Sequence, residues 1–285
     1  MPRAAEYGAL LDALRGVSWP ARRRVSAGGA GTHRSSLRGL AAEFTEYRPY
    51  RQGDDPRRMD WKLLARTDRA YFRLSDDHVS LTTVIAVDAS ASMAFPEGAR
   101  TKWSVASLLA VGLASVAHGV GDAVGLVVAA PEPVVLRARS RRGIVAESIR
   151  ALDAVHPAGA APLAPLLADP RSAPRLVVIS DFLGDAEAVR AAVAEGVVAG
   201  QEVHAVHVVA AEELDPRGGV LAVDPEDPTV ARALVAETRE AYQERFASWR
   251  RALHDGLRRA GAAVTEVVTS EPVARAVRRI VRPAA

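Results

Sequence analysis

The chain has 285 residues and a net charge of +3, with 49% apolar and 25% charged residues, proportions that are ordinary for a globular protein. It contains no cysteine, which excludes disulfides, thiolate metal sites and cysteine nucleophiles. No apolar run reaches the ~18–20 residues of a membrane helix and the N-terminus lacks a signal-peptide pattern, so we expect a cytoplasmic protein without direct membrane insertion.

The N-terminal part of the chain is predicted to be a basic extension. Apolar residues at helical spacing predict a helix within residues 1–25, which Trp19 and Pro20 end. The glycines of residues 27–31 predict a flexible connector, because no Lys-Ser or Lys-Thr follows at the spacing of a phosphate-binding loop. The first 80 residues hold 15 Lys and Arg against 10 Asp and Glu, but acids alternate with the arginines, so nucleic acid is not an expected partner.

A polar segment between residues 48 and 67 combines arginines and aspartates with aromatic rings. This composition indicates charge-assisted hydrogen bonds packed on aromatic side chains. Two interpretations stay open: the segment pins the N-terminal region to the next domain, or it is a surface that docks a partner. The candidate docking residues are Arg51, Asp54, Asp55, Arg58, Asp60, Trp61 and Arg66.

From residue 81 onward, strand and helix patterns alternate, which predicts an α/β fold with a doubly wound, mostly parallel sheet. Val134–Leu136 is predicted to pair with the strand before it as a hairpin at one sheet edge. A long helix is predicted from about residue 229 to 260. Strands at 81–88 and 176–180 are the expected neighbours at the point where the strand order reverses. The strands of the sheet are predicted at residues 81–88, 124–130, 134–136, 176–180, 203–209 and 264–268.

The strand at residues 81–88 ends in a carboxylate and two hydroxyls at alternate positions, Asp88, Ser90 and Ser92. In open α/β sheets, ligands bind outside the carboxyl ends of the strands, at the reversal point. Oxygen ligands there suit a hard divalent cation such as Mg²⁺, with Mn²⁺ or Ca²⁺ as alternatives. Asp181 follows the strand at 176–180 and is expected to face the same cation. The pattern resembles a metal-ion-dependent adhesion site, and its chemistry suits binding more than catalysis.

Catalytic motifs are scarce in the sequence. It contains neither the Gly-x-Ser-x-Gly of α/β-hydrolases nor the Gly-x-x-x-x-Gly-Lys-Ser/Thr of nucleotide-binding loops. Asp185 is predicted to cap the helix that follows it. His204 and His207 are three residues apart on a predicted strand and therefore face opposite sides of the sheet. None of the seven histidines shows the spacing of metal ligands, so packed or exposed histidines are expected.

The segment from Glu43 to Thr67 resembles the signature of the domain-of-unknown-function 58 family. Members of this family carry a von Willebrand factor A-like domain directly after the signature, and Asp88, Ser90 and Ser92 stand at the expected place. The similarity covers roughly residues 31–210. The matching residues are Tyr50-Arg51-Gln52-Gly53-Asp54-Asp55-Pro56-Arg57-Arg58-Met59-Asp60-Trp61 and Ala65-Arg66-Thr67.

The resemblance implies a von Willebrand factor A-like, Rossmann-like domain over residues 78–285. Residues 1–77 are expected to form the basic extension with the family signature and to pack on this domain. In the family's adhesion site, a threonine before a short helix and an aspartate from the next strand join the Asp-x-Ser-x-Ser loop. Asp181 matches the aspartate, whereas Ala161 stands at the place of the threonine and offers no hydroxyl.

The resemblance also implies a non-enzymatic scaffold, often linked to a MoxR-type AAA+ ATPase in chaperone-like or metal-insertion complexes. We therefore expect protein–protein interaction through Asp88, Ser90, Ser92 and Asp181, with an acidic residue of the partner completing the metal shell. Two alternatives stay open. One is a Mg²⁺-dependent phosphoester hydrolase at the same site, and the other is a structural subunit whose metal site is vestigial because of Ala161.

Overall fold

The computed structural model describes residues 4–21, 30–34, 46–49, 59, 61–67, 69, 71–74, 78–98, 100–167, 173–216, 221–223, 231–233 and 236–282. The chain divides into two compact units, one formed by residues 1–19 and 82–285 and the other by residues 20–81. The N-terminal helix thus belongs to the unit that contains the large sheet. The domain boundary predicted after residue 77 stays a prediction.

The strands are β1 Ala30–Arg34, β2 Glu46–Pro49, β3 Tyr71–Leu74, β4 His78–Val79, β5 Thr82–Asp88, β6 Ala123–Ala129, β7 Val134–Arg139, β8 Arg175–Ser180, β9 Glu202–Val209, β10 Leu221–Val223, β11 Ala231–Ala233 and β12 Ala263–Val268. The helices are α1 Ala4–Ala13, α2 Trp61–Thr67, α3 Lys102–Gly119, α4 Ile144–Asp153, α5 Ala164–Leu167, α6 Ala186–Val198, α7 Ala211–Leu214, α8 Ala236–Arg259 and α9 Val273–Val281.

The large sheet has six strands in the order β12-β9-β8-β5-β6-β7. All neighbouring strands are parallel except β6 and β7, which form the hairpin predicted at one edge. When the six strands are renumbered 1 to 6 in chain order, starting with β5, the sheet has the 3-2-1-4-5-6 order of a doubly wound fold. The strand order reverses between β5 and β8. The predicted α/β fold and the predicted neighbours at the reversal point are confirmed. Every residue of β8 is buried, because helices cover both faces of the sheet.

Two hydrophobic layers enclose the sheet. On one face, α3 packs together with α1, α4 and α9, and on the other face lie α5, α6 and α8. Gly112 in α3 permits a close helix approach, because a Cβ atom there would lie 2.9 Å from Val277 Cγ2 and 3.0 Å from Leu14 Cδ1. The N-terminal helix is therefore part of the core of this unit.

Two helices differ from the predicted bounds. The helix predicted within residues 1–25 ends at Ala13, and Gly16 follows with φ 75°, the left-handed conformation that often terminates helices. The helix predicted from about residue 229 begins at Ala236. Residues Ala231–Ala233 instead form β11, which pairs antiparallel with β10. Strand pairing satisfies the backbone groups of these residues, so their local helix propensity does not decide the structure.

The smaller unit contains two antiparallel strand pairs, β1 with β4 and β2 with β3, together with α2.

Across the described part of the chain, no helix combines the length and the apolar character that crossing a bilayer requires.

A buried tryptophan supports the larger unit from the N-terminal side. Trp19 is 1% exposed, and the Arg175 guanidinium lies over its ring, 4.3 Å from the ring centre. The ring of His204 meets Trp19 edge-on at 5.2 Å. Arg175 also lies 3.3 Å from Asp122 Oδ2 and 3.5 Å from Glu202 Oε1. The buried guanidinium is tolerated because carboxylates and an aromatic face replace its water.

Trp19→Ala is expected to lower the free energy of unfolding by about 3–5 kcal/mol, since it removes a buried ring that also covers Arg175. Trp61→Ala is the matched control, because Trp61 is 59% exposed. Surface substitutions usually change stability by less than about 0.5 kcal/mol. Urea titrations followed by far-UV circular dichroism measure both variants. Equal losses in the two variants would contradict the burial of Trp19.

Candidate metal centre

Strand β5 carries Asp88 to the carboxyl edge of the sheet, where the strand order reverses. Asp88 Oδ1 accepts a hydrogen bond from the backbone N–H of Ser90 at 2.8 Å, and Oδ2 accepts one from Ser180 Oγ at 2.6 Å. The first bond closes a tight turn that aspartate favours. The second bond joins the end of β5 to the end of β8. The buried carboxylate is therefore fixed from two neighbouring strands.

The two serines lie side by side near Asp88. Ser90 Oγ and Ser92 Oγ are 3.1 Å apart. Adjacent oxygen ligands of an octahedral Mg²⁺ ion lie ~3 Å apart, given its metal–oxygen bonds of 2.0–2.1 Å. Ser92 belongs to the short 3₁₀ helix Ala91–Ala94, and backbone hydrogen bonds of 2.9 and 3.1 Å tie this loop to residues 158 and 159. The structure thus brings Asp88, Ser90 and Ser92 together.

The charge on Asp88 is costly in this position. Burial raises the pKa of the Asp88 carboxyl above its ordinary value, the hydrogen bond from Ser180 lowers it, and the negative charge of Asp181 raises it again. The net direction is upward, because burial removes the water that stabilises the charged form. A divalent cation next to Asp88 would favour the charged form and offset this cost.

Asp181 follows β8 and forms half of a buried ion pair. Its Oδ1 accepts a hydrogen bond from the backbone N–H of Leu183 at 3.1 Å, and its Oδ2 lies 2.6 Å from Lys102 Nζ. The same ammonium lies 2.7 Å from Glu213 Oε1. Glu213 is fixed in turn, because its Oε2 accepts the backbone N–H of Ala210 at 2.7 Å. The fourth predicted site residue is therefore held by a lysine.

Lys102 is a site residue that sequence analysis missed. It begins α3 and is 1% exposed. Burial by itself lowers the pKa of Lys102, but the carboxylates of Asp181 and Glu213 outweigh burial and raise it. A positive charge at a helix N-terminus is unfavourable, because the helix dipole is positive at that end. A lysine at the first position of an otherwise apolar helix was therefore the sequence signal for a buried carboxylate partner.

A cavity of about 460 Å³ opens beside Asp88 and Ser90. Its walls are largely apolar and come from residues 160–165, Phe182 and the start of α6. Ala161 is part of this wall. Its correspondence to the threonine of the family pattern stays a prediction. Two carboxylates, of Asp88 and Asp185, and two hydroxyls, of Ser90 and Ser180, line the cavity. Asp185 caps α6, and Ser180 is hydrogen-bonded to Asp88 and to the Phe182 N–H. The candidate ligands in the lining are therefore Asp88 and Ser90, and Ser92 adjoins Ser90. Such a set fits a hard cation that keeps part of its water shell.

The turn after β8 has an unusual backbone. Phe182 adopts φ 55°, a left-handed conformation that is an outlier for a bulky residue. Its N–H donates to Ser180 Oγ at 2.8 Å, and its ring is buried. Strained positions of this kind persist only where the surrounding contacts determine them, and they cluster at functional sites.

Other predicted residues lie elsewhere or are not described. Trp61 and Arg66 are exposed on α2, whereas Arg51, Asp54, Asp55, Arg58 and Asp60 lie outside the described residues. The predicted docking role of this segment stays a prediction.

His204 packs against Trp19 and His207 against Phe182, which confirms that the two histidines face opposite sides of the sheet. Asp185 caps α6 as predicted, accepting the backbone N–H of Ala188 at 2.9 Å.

The fold and the polar residues at its reversal point define a Rossmann-like α/β protein with a candidate cation site. Residues 46–252 match the family model described as "Protein of unknown function DUF58", and the chain belongs to this family. The family membership predicted from the signature segment is thereby confirmed. Over 262 residues the chain is 30% identical to Uncharacterized protein Rv1480 from Mycobacterium tuberculosis (strain ATCC 25618 / H37Rv), covering 89% of this chain and 78% of that protein.

The chain is also similar to solved structures. One is the conserved hypothetical protein BatB from Bacteroides thetaiotaomicron, with a TM-score of 0.46 and 18% identity over 71% of this chain and 97% of that one. Another is the SpRpn10 VWA domain, with a TM-score of 0.39 and 10% identity over 70% of this chain and 94% of that one.

Lys102→Met is expected to lower the free energy of unfolding by about 3–5 kcal/mol, because it leaves the buried carboxylates of Asp181 and Glu213 without their cation. Urea unfolding of the variant and of wild type measures this loss.

Lys62→Met is the control for the loss of a lysine, because Lys62 is exposed on α2. In a second variant, Asp181→Asn added to Lys102→Met is expected to recover part of the lost stability. A Lys102→Met loss no larger than that of Lys62→Met would contradict the buried ion pair.

Proposed function

We propose that this protein is an interaction scaffold that binds a partner's carboxylate through a divalent cation held by Asp88, Ser90 and Ser92. The observation that carries the proposal is the placement of two serine hydroxyls 3.1 Å apart, next to a buried carboxylate, at the reversal point of a doubly wound sheet. Among the described residues, the three side chains offer oxygen ligands, and such ligands select Mg²⁺, with Mn²⁺ or Ca²⁺ as alternatives.

Each residue has a distinct part in this proposal. Asp88 supplies the charged ligand, and Ser90 and Ser92 supply neutral hydroxyl oxygens. Asp181, held by Lys102, orients a metal-bound water. Because few fixed charges face the cation and Ala161 contributes no ligand, the cation keeps open positions that an acidic residue of a partner can fill.

The family resemblance supplies the class of partner. We propose a MoxR-type AAA+ ATPase, with which this chain would act in chaperone-like complex assembly. The cavity beside Asp88 supports binding over hydrolysis of a phosphoester. Among the described residues that line it, the second carboxylate belongs to Asp185, and that side chain is occupied as the cap of α6. Hydrolysis would need a general base or a second metal.

Affinity purification of the full chain from its native cells tests this function. Wild type is expected to retain an AAA+ ATPase in Mg²⁺, and to lose it when Mg²⁺ is chelated, because the cation bridges the two proteins. Asp88→Ala is expected to lose the ATPase in both conditions. Asp185→Ser is the matched control: it removes a carboxylate from the same cavity but leaves a residue type that still caps a helix.

Recovery of the same ATPase from all variants, with and without chelator, would show that the metal site is dispensable for docking. Recovery of no ATPase by wild type in Mg²⁺ would contradict the proposed partner class. Turnover of a phosphoester that depends on Asp88 would favour the hydrolase alternative.

Ala161→Thr is expected to tighten Mg²⁺ binding by about tenfold, since a hydroxyl bound to a charged group is worth about 1.5–3 kcal/mol. Isothermal titration of Mg²⁺ into the chelator-treated protein measures this change. Ala160→Thr is the control, because residue 160 is exposed and also lines the cavity. An unchanged affinity in Ala161→Thr would exclude residue 161 from the metal shell.

A further inference from the structure

Three metal-ligand side chains from three separate elements converge on the far side of the β8 turn. His207 lies on β9, and Glu266 is its direct register partner on the parallel strand β12. His254 lies on α8, which packs over this face of the sheet. The three residues belong to different elements of the chain, so their spacing in the sequence does not indicate a metal site.

The distances among the three ligand atoms suit one small ion. His207 Nδ1 lies 2.9 Å from His254 Nε2, and Glu266 Oε2 lies 3.6 Å from His254 Nε2 and 3.9 Å from His207 Nδ1. Zinc bonds to nitrogen and oxygen are 2.0–2.2 Å long, which places tetrahedral ligands ~3.4 Å apart. The three observed distances scatter around that value. A hydrogen bond between the imidazoles explains the shortest distance, but Glu266 Oε2 is too far from either ring for a hydrogen bond.

The surroundings hold these ligands in place. His207 is 1% exposed, and the rings of Phe182 and Trp249 meet it edge-on at 5.8 and 5.7 Å. Arg250 Nη1 lies 2.7 Å from Glu266 Oε1, so the guanidinium engages one carboxylate oxygen while the other lies beside the imidazoles. Groups that orient a ligand in this way are typical of protein metal sites. The side chains of His254 and Glu266 are partly exposed and provide a route from solvent.

We propose that His207 Nδ1, His254 Nε2 and Glu266 Oε2 form a Zn²⁺ site with one coordination position open. Two imidazoles and a carboxylate are a recurrent three-ligand set for zinc. Imidazole nitrogen selects Zn²⁺ over Mg²⁺, so this site differs in chemistry from the oxygen-only centre at Asp88. It shares no ligand with that centre and does not depend on the proposed function.

Cobalt substitution tests the site directly. The full chain without a histidine tag is treated with chelator and titrated with Co²⁺ in excess Mg²⁺, which occupies oxygen-only sites. We expect one Co²⁺ per chain, with the intense visible absorption of a four-coordinate ion, and full displacement by one equivalent of Zn²⁺. His254→Gln and Glu266→Gln are each expected to weaken Co²⁺ binding at least about tenfold, because each removes one of three protein ligands.

His156→Gln is the matched control, since His156 is exposed and far from any of these ligands in sequence. It is expected to bind Co²⁺ like wild type. Thermal unfolding of each metal-free variant shows whether it is folded. The proposal is overturned if wild type binds no Co²⁺, or if folded His254→Gln and Glu266→Gln bind it as tightly as wild type.

Discussion

A buried lysine is the constraint on which the carboxyl edge of the sheet depends. The Lys102 ammonium is almost completely withdrawn from water and lies 2.6 Å from Asp181 and 2.7 Å from Glu213. Removing a charge from water costs several kcal/mol, which only close, well-oriented partners repay. The start of α3, the end of β8 and the short helix α7 are therefore tied to one another. The turn at residues 180–182 is held in place by the same contacts, because Asp181 is part of it.

That turn serves both candidate metal sites. Its serine donates to Asp88 at 2.6 Å, its aspartate receives Lys102, and its phenylalanine packs edge-on against His207 at 5.8 Å. The backbone of Phe182 is left-handed, and with this conformation three consecutive side chains reach three different partners. On one side of the turn lie the oxygen ligands proposed for a hard cation, and on the other side lie the imidazoles proposed for zinc. One short segment thus contacts residues of both proposed sites.

Local patterns in the sequence predicted the fold well but the site only in part. Continuous apolar runs and a short hairpin connection sufficed to predict the hairpin edge and the two neighbouring strands at the reversal point. Asp88, Ser90 and Ser92 lie close in sequence, so their proximity could be predicted. Lys102 reaches Asp181 across 79 residues and Glu213 across 111, and His207 meets His254 across 47. Such contacts depend on tertiary packing that no local period encodes. The helix start at Ala236 was missed for the same reason, because β11 forms only by pairing with β10.

Asp88, Ser90 and Ser92 are proposed to hold a divalent cation while Lys102 remains on Asp181. The decisive experiment is a crystal structure of the full chain grown in Mn²⁺, with anomalous scattering measured at the manganese edge. We expect an anomalous peak in contact with oxygen atoms of all three residues, with the Lys102–Asp181 pair intact. A map without a peak at this position, or a peak that appears only when Lys102 has left Asp181, would contradict it.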